Sequence, residues 1–369
     1  MDRTKSAFEF AYLAKIHSFS MLPSSIHTLS PTVSMAMVTE LLADLGLDPS
    51  WVDKAIDRAG IAPELLQEAG ARISVEQFSR IYRQLVALLD DETPGFFSRP
   101  LRQGTLKFLC LGMYGAPSLE IALHRFRSYF RLLLDDMGFE VTINGALTRI
   151  ALIEHVPPRR SRVLVHEIML KLVHGVASWM IDRKIALARV DFAYPRPQRA
   201  ADYVYLFPGP VQFDQAQTAL YVDSEYLQSP MRQDMKALGT FLRNAPADWL
   251  FVSFSEKMQT HRVRDYLEAQ LAHKPTLEST ASALHFSERS LSRRLADEGT
   301  TFQAIKDELR RDMAIQKLLK TRMPITAVAA AIGIDNLSVF NRAFKLWTGS
   351  TPGTYRRLGA GRKSRDAGG

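Results

Sequence analysis

The chain has 369 residues, 46% hydrophobic and 23% charged, which is enough apolar content to fill two or three domains and excludes disorder along its whole length. The formal net charge of +8 is unevenly placed: residues 259–358 hold 16 Lys and Arg against 10 Asp and Glu, and the first 258 residues balance near zero. The basic excess therefore sits in the C-terminal third and its tail, where a polyanion would be met.

A lone cysteine, Cys110, rules out an intrachain disulfide, suits a reducing cytoplasm and reads as a small buried hydrophobe. No run of about 18 apolar residues is present; the nearest, 163–190, is broken by His166, Glu167, Lys171, Asp182, Arg183 and Lys184. No membrane partner is expected, and the expected location is the cytoplasm.

Residues 1–32 lack a secretory apolar run and read as a flexible N-terminal extension. From Val33 the pattern turns helical, with Met37, Leu41, Leu42 and Leu45 at spacings of three and four. Ser74 with Gln77 forms a capping box for a helix over 75–89. Phe108–Gly115 is a short apolar stretch, and Ser118 can cap a helix carrying Leu119, Ala122, Leu123, Phe126, Phe130 and Leu133.

The texture then changes. Phe139–Ile143 and Leu147–Ile153 alternate on either side of Asn144-Gly145, a hairpin signal. Val163–Ala186 reads as a long amphipathic helix, Arg189–Tyr194 as a strand stopped by prolines, and Val211–Phe213 and Thr218–Val222 as short strands. Residues 33–228 thus form an α+β N-terminal regulatory domain, helices plus a small antiparallel sheet. Residues 229–258 form a linker whose apolar Trp249-Leu-Phe-Val252 would dock on a neighbouring domain.

From residue 259 to 358 the chain reads as an all-α domain with two helix-turn-helix motifs joined by a spacer helix. In the first copy Leu277, Ala281 and Leu284 bury one face of a support helix, His285-Phe286 turn, and Ser287 caps a second helix anchored by Leu291 and Leu295. Arg289, Ser292 and Arg293 then face outward, with Arg294 beside them. The second copy repeats this with Ile325, Ala329, Ile332, a turn at Gly333, a cap at Asp335, and anchors Phe340, Phe344 and Trp347. Asn336, Leu337, Ser338, Asn341, Arg342 and Lys345 remain outside. Leu277 and Ile325 are 48 residues apart, Arg293 and Arg342 are 49, and Gly299 and Gly349 are 50, so turn, anchors and glycine recur together. Between the copies, Phe302 to about Lys320 reads as one helix with Ile305, Leu309, Met313, Ile315 and Leu318 inward. Such a spacer can hold two recognition helices about one DNA turn apart, roughly 34 Å. The pattern points to double-stranded DNA. Arg293 and Arg342 are the leading base contacts, and Lys345, Arg294, Arg356 and Arg357 are phosphate contacts. Residues 359–369 are expected to be a disordered basic tail.

These residues resemble the AraC/XylS family of bacterial transcription regulators. The resemblance rests on LHFSERSLSRRL over 284–295, Arg310 and Ala314 in the spacer, IGIDNLSVFNRAFK over 332–345 and WTGSTPGTYR over 347–356. Ile334 stands where the family usually has Phe, and His285 where glycine is common. Residues 35–225 also resemble the arabinose-binding-type N-terminal domain of one branch, through LGMYGAPSLEIAL over 111–123, Glu167, and FPGPVQF over 207–213. The resemblance implies a regulator answering to a small-molecule effector, with RNA polymerase and a second copy of the chain as candidate partners. Its alternative is a constitutive DNA binder whose first domain only dimerises.

No Gly-rich phosphate loop, nucleophile elbow or metal-spaced His/Cys cluster is present. His166 and His174 are eight residues apart, too far along one helix to share a metal easily. Cys110 lies in apolar FLCLG, without the activating motif of the family's methyl-transferring repair relatives. An enzyme, a cofactor and a metal are therefore not expected. The effector contacts expected from polarity are His124, Arg125, Arg127, His166 and Glu167, converging between helices and sheet.

Overall fold

The computed structural model describes residues 32–363 apart from 69, 208, 252–258 and 299. The expected extension, all but its last residue, and the tail beyond 363 lie outside the described residues, as does Gly299. Residue 32 itself is ordered: β1 (Thr32–Ser34) pairs antiparallel with β2 (Arg72–Ser74), Val33 opposite Ile73. The helix expected from Val33 therefore begins later, as α1 (Met35–Leu42), where the Ser34 hydroxyl accepts from the Ala36 N–H at 3.2 Å.

After α2 (Pro49–Ala59), helix α3 (Val75–Leu89) starts where the sequence placed it. Gln77 N–H donates to Ser74 Oγ at 3.2 Å while Ser74 N–H donates to Gln77 Oε1 at 2.9 Å. These bonds satisfy two donors that a helix start leaves orphaned. The stretch expected as a short apolar run is a helix, α4 (Thr105–Met113), followed by α5 (Leu119–Leu133). Ser118 occupies the N-cap of α5 without a side-chain cap; Leu119 N–H donates instead to the Ser229 carbonyl at 3.0 Å.

The hairpin is β3 (Met137–Asn144) and β4 (Leu147–Glu154), with Asn144 paired to Leu147, so the two-residue turn is Gly145-Ala146, one place later than Asn144-Gly145. Helix α6 (Arg162–Met180) comes next, then β5 (Leu187–Asp191), a short α7 (Tyr203–Leu206), β6 (Val211–Gln212) and β7 (Ala219–Asp223). The sheet order is β3-β4-β7-β5-β6, antiparallel except for the parallel β5–β6 pair. An α+β domain is what results.

Helix α6 departs most from expectation. It ends at Met180, and it is not amphipathic, because all but a few of its residues are buried, His166, Glu167, Lys171 and His174 included. By length and composition alone it could cross a membrane, but 83% of its apolar window is buried inside this chain, which is the position of a central core helix. Its charged groups are kept inside by partners from elsewhere: Glu167 meets Arg199 and the Tyr203 hydroxyl, and His166 meets Thr218 and Glu154.

The segment expected as a linker folds onto this helix. It forms α8 (Met235–Asn244) and α9 (Ala247–Leu250), with Leu238, Phe241, Trp249 and Leu250 buried. Gly175 makes the contact with α9 possible, since a Cβ there would lie 2.1 Å from the Trp249 carbonyl oxygen.

The remaining helices are α10 (Gln259–Gln270), α11 (Leu277–Ala283), α12 (Glu288–Asp297), α13 (Phe302–Lys320), α14 (Ile325–Ala331), α15 (Leu337–Thr348) and α16 (Pro352–Lys363). The spacer α13 matches its expected span, with Ile305, Leu309, Met313, Ile315 and Leu318 all buried. It packs against α10, α16 and β2. That last contact joins the two halves of the chain. Asp312 on α13 is fully buried, accepts from the Thr32 hydroxyl at 2.6 Å, and lies 3.1 Å from the Arg264 guanidinium and 3.3 Å from that of Arg311. Lys320 pairs with Glu76 at the first turn of α3, at 2.9 Å.

Candidate nucleic-acid interface

Each helix-turn-helix is built by a cap and a left-handed turn residue. In the first, α11 is capped by Thr276 and α12 by Ser287, whose Oγ accepts from Ser290 N–H at 3.2 Å. His285 makes the turn between them with φ +63°, and Gly333 makes the equivalent turn with φ +73°. The residue that departs from the family pattern thus adopts the glycine-like conformation.

On α12, Leu291 and Leu295 are completely buried, and Arg289, Ser292, Arg293 and Arg294 are exposed. The guanidinium of Arg294 lies over the Phe286 ring, 5.0 Å from its centroid, which leaves Arg289 and Arg293 as the cations of this face with neither a ring contact nor an ion pair among the described residues. On α15, Phe340 and Phe344 are completely buried and Trp347 is half-buried. Leu337, Ser338, Asn341, Arg342 and Lys345 are exposed together. The helix period alone explains the division, because residues three and four apart share a face.

Two details correct the reading of the second motif. The helix cap is Asn336, not Asp335: its Oδ1 accepts from the N–H groups of Ser338 at 2.9 Å and Val339 at 3.1 Å. Asp335 instead pairs with Lys274. The side-chain oxygen of Asn336 is therefore committed to the helix, which leaves its amide nitrogen for a base edge or phosphate. The exposed side of α15 also includes Val339, and Leu346 at 85% exposure, apolar groups outside the set expected from the sequence.

The first domain approaches α15 at its far end. A Cβ on Gly70 would lie 3.3 Å from Gly349 N, and Glu68 lies beside Gly349. The N-terminal half of α15, which carries Ser338, Asn341 and Arg342, stays uncovered.

The five polar groups expected as effector contacts are not gathered in one place. His124 and Arg127 are exposed on α5, and Arg125 donates to the Tyr114 carbonyl at 3.3 Å. On α6, His166 has Thr218 Oγ1 and Glu154 Oε2 each at 2.8 Å, and burial lowers its pKa, opposed by Glu154. Burial pushes the Glu167 carboxyl up to about 7, opposed by Arg199. Cys110 is buried, and desolvation pushes its thiol up to about 12. Among the described residues, no group of three or more His, Cys, Asp and Glu is placed to hold a metal.

A cavity of about 320 Å³ lies elsewhere, between α3, the start of α4, α6 and the α8–α9 segment. Tyr82, Phe130, Met169, Leu172, Leu242 and Trp249 line it. None of the five expected residues is among its walls. Sequence carries no signal for such a site, because its apolar walls have the same periodicity as core positions.

Two capped helix-turn-helix units on one spacer, joined to a separate α+β domain, define a DNA-binding protein with a second functional half. Residues 46–231 match the model of the arabinose-binding domain of AraC transcription regulators, N-terminal, and residues 280–358 match a helix-turn-helix domain model. The chain belongs to the AraC family of transcription regulators. It is 28% identical over 329 residues to the ornithine utilization regulator of Pseudomonas aeruginosa, a match spanning 89% of this chain and 96% of that one. The HTH-type transcriptional regulator VqsM of the same organism is 35% identical over 95 residues, 26% of this chain and 29% of that protein. Among solved structures, the transcriptional regulator CdpR of Pseudomonas aeruginosa is 22% identical, covering 85% of this chain and 99% of that chain, with a TM-score of 0.32.

Proposed function

We propose that residues 259–358 read promoter DNA through α12 and α15, that residues 33–228 sense a small molecule, and that 229–258 connects the two while forming part of the sensing half. The observation that carries the DNA reading is the repeated placement, on exposed faces, of guanidiniums with no ion pair among the described residues, Arg289 and Arg293 on one capped helix and Arg342 on the other. Such groups reach guanine O6 and N7 in the major groove, while Lys345, Arg294, Arg356 and Arg357 supply phosphate contacts.

Asn341, Ser338, Ser292 and Leu337 complete the two reading faces, and Asn336 contributes through its free amide nitrogen. The apolar cavity in the first domain favours sensing over a constitutive binder whose first domain only dimerises. A second copy of the chain and RNA polymerase are the protein partners of this reading, and the cytoplasm is its place of action.

Footprinting on the DNA flanking the gene tests it. Two protected major-groove tracts about 10 base pairs apart are the expected result, from two recognition helices about one helical turn apart. Protection confined to one tract would show that only one motif reads DNA.

A further inference from the structure

The cavity's walls specify a chemistry. Its body is apolar, with three aromatic side chains, Tyr82, Phe130 and Trp249, and the aliphatic Leu106, Met169 and Leu172. Its volume, about 320 Å³, falls at the small end of the range for ligand pockets, roughly 300–1,000 Å³.

The polar groups that border it are already engaged, the hydroxyls as donors and the carboxylate as an acceptor. The Tyr82 hydroxyl donates to the Glu92 carbonyl at 2.7 Å, Thr93 Oγ1 to Asp91 at 2.9 Å, and Thr105 Oγ1 to the Arg102 carbonyl at 2.7 Å. Glu92, the carboxylate in the wall, accepts from Gly104 N–H at 2.8 Å and Leu106 N–H at 2.7 Å, the orphan donors at the start of α4. A polyol would find no free hydroxyl donor in these groups, and an ammonium would have to share Glu92 with the two backbone N–H groups it already accepts from.

The rim has the opposite character. Arg83 and Lys107 both border the cavity and are exposed. Arg83 donates to two carbonyls, Ser79 at 3.2 Å and Arg243 at 3.1 Å, and not to a carboxylate. Among the described residues Lys107 has no ion pair, and the Phe108 ring lies beside it, 5.9 Å away. Two uncompensated cations thus stand over an apolar interior.

We propose that this cavity is the effector site and that it takes a compact apolar carboxylate, its aryl or alkyl body inside and its anion between Arg83 and Lys107. The proposal rests on the regulator reading above and deepens it. It runs against the sugar named in the matched domain model and against the cationic amino acid named for the ornithine utilization regulator.

The site is also placed to be felt by the DNA-binding half. Tyr82, Arg83 and Val86 lie on α3, whose first turn holds Glu76 against Lys320, about 9 to 15 Å along the same helix at 1.5 Å per residue. Trp249 lies on the segment that leads to α10, and its ring packs edge-on against Tyr82 with centroids 6.2 Å apart.

Calorimetric titration of the full chain with octanoate, 4-phenylbutyrate, 1-octanol, L-ornithine and L-arabinose tests the assignment. One or both acids should bind one per chain, at least about tenfold tighter than octanol, the contribution of a charge-assisted contact. The better acid identifies the body as alkyl or aryl. Val86→Trp, which fills the cavity, should abolish binding. Lys107→Glu, an exposed change that should not disturb folding, should weaken the acids about tenfold or more and leave octanol unchanged.

Octanol binding as tightly as octanoate, silence of both acids, or competition of ornithine or arabinose with them would overturn the assignment. Promoter-duplex affinity measured in the same samples separates the two claims. A duplex response to ornithine or arabinose with silent acids would overturn the site and keep the regulator. Acid binding that leaves duplex affinity unchanged would keep the site and remove sensing.

Discussion

The phenol of Tyr355, on the last helix of the DNA-binding half, donates to the Arg72 carbonyl at 3.0 Å and accepts from the Arg72 N–H at 3.1 Å. It acts as a strand partner for a residue 283 positions earlier. The Arg72 side chain continues the join, donating to Thr32 Oγ1 at 2.7 Å and to Asp202 at 2.6 Å, and Thr32 in turn reaches Asp312. The two halves are therefore held by a buried polar network whose geometry is demanding. Tyr355→Phe should lower stability by about 1–3 kcal/mol, because a buried N–H and carbonyl lose their partner. Denaturant unfolding measures this, and the loss should appear in the transition that separates the halves. An unchanged midpoint would mean that water replaces the phenol freely.

Lys171 on α6 is fully buried, with His174 Nδ1 at 3.5 Å as its polar neighbour. Burial lowers its ammonium from 10.5 to about 7. Between those values the unfolded chain holds a proton that the folded chain has released, so stability rises with pH. The full benefit is present above about 10.5 and is lost as pH falls towards 7. Glu167, raised from 4.5 to about 7, acts in the separate window below 7, where its contribution is lost as pH rises. Lys171→Met should therefore be more stable than the parent at pH 7.5, with the gap narrowing by about 2–3 kcal/mol by pH 9.5. Urea unfolding at the two pH values reads the difference, and a gap independent of pH would show that the amine stays charged in the fold.

The paired turn residues give a contrast within one chain. His285 holds φ +63° without the freedom of glycine, a conformation that costs a non-glycine residue roughly 1–2 kcal/mol. His285→Gly should be neutral or stabilising by up to about 1 kcal/mol, since glycine's unfolded-state entropy offsets part of the gain. Gly333→Ala should destabilise by more than about 1 kcal/mol, because φ is +73° and a Cβ would lie 2.6 Å from the Leu271 carbonyl oxygen. Thermal unfolding of both variants checks the opposite signs.

Local chemistry was legible in the sequence wherever the partner lay close by. The capping box of Ser74 and Gln77, the spacer α13 and the cap at Ser287 all depend on residues a few positions apart, and all stand as read. Helix α6 was misread because His166, Glu167, Lys171 and His174 mimic a solvated face, while Arg199, Tyr203 and Thr218, which hold two of them inside, lie 32 to 52 residues away. The join between Thr32 and Asp312 spans 280 residues, and no periodicity reports it. Asp335 and Asn336 both suit an N-cap, and only the backbone path decides that Asn336 takes the role. The cavity was illegible for a different reason: walls that face a void and walls that face a core are written with the same residues.

The most direct test of the central claim compares Arg293→Ala and Arg342→Ala on a randomised set of duplexes built on the footprinted site. If both helices read bases, each change costs about 1–3 kcal/mol and relaxes preference at one base step, in a different half-site for each variant. Uniform weakening on every sequence, with the salt dependence falling by about one phosphate contact, would contradict it and make these arginines positioning contacts only.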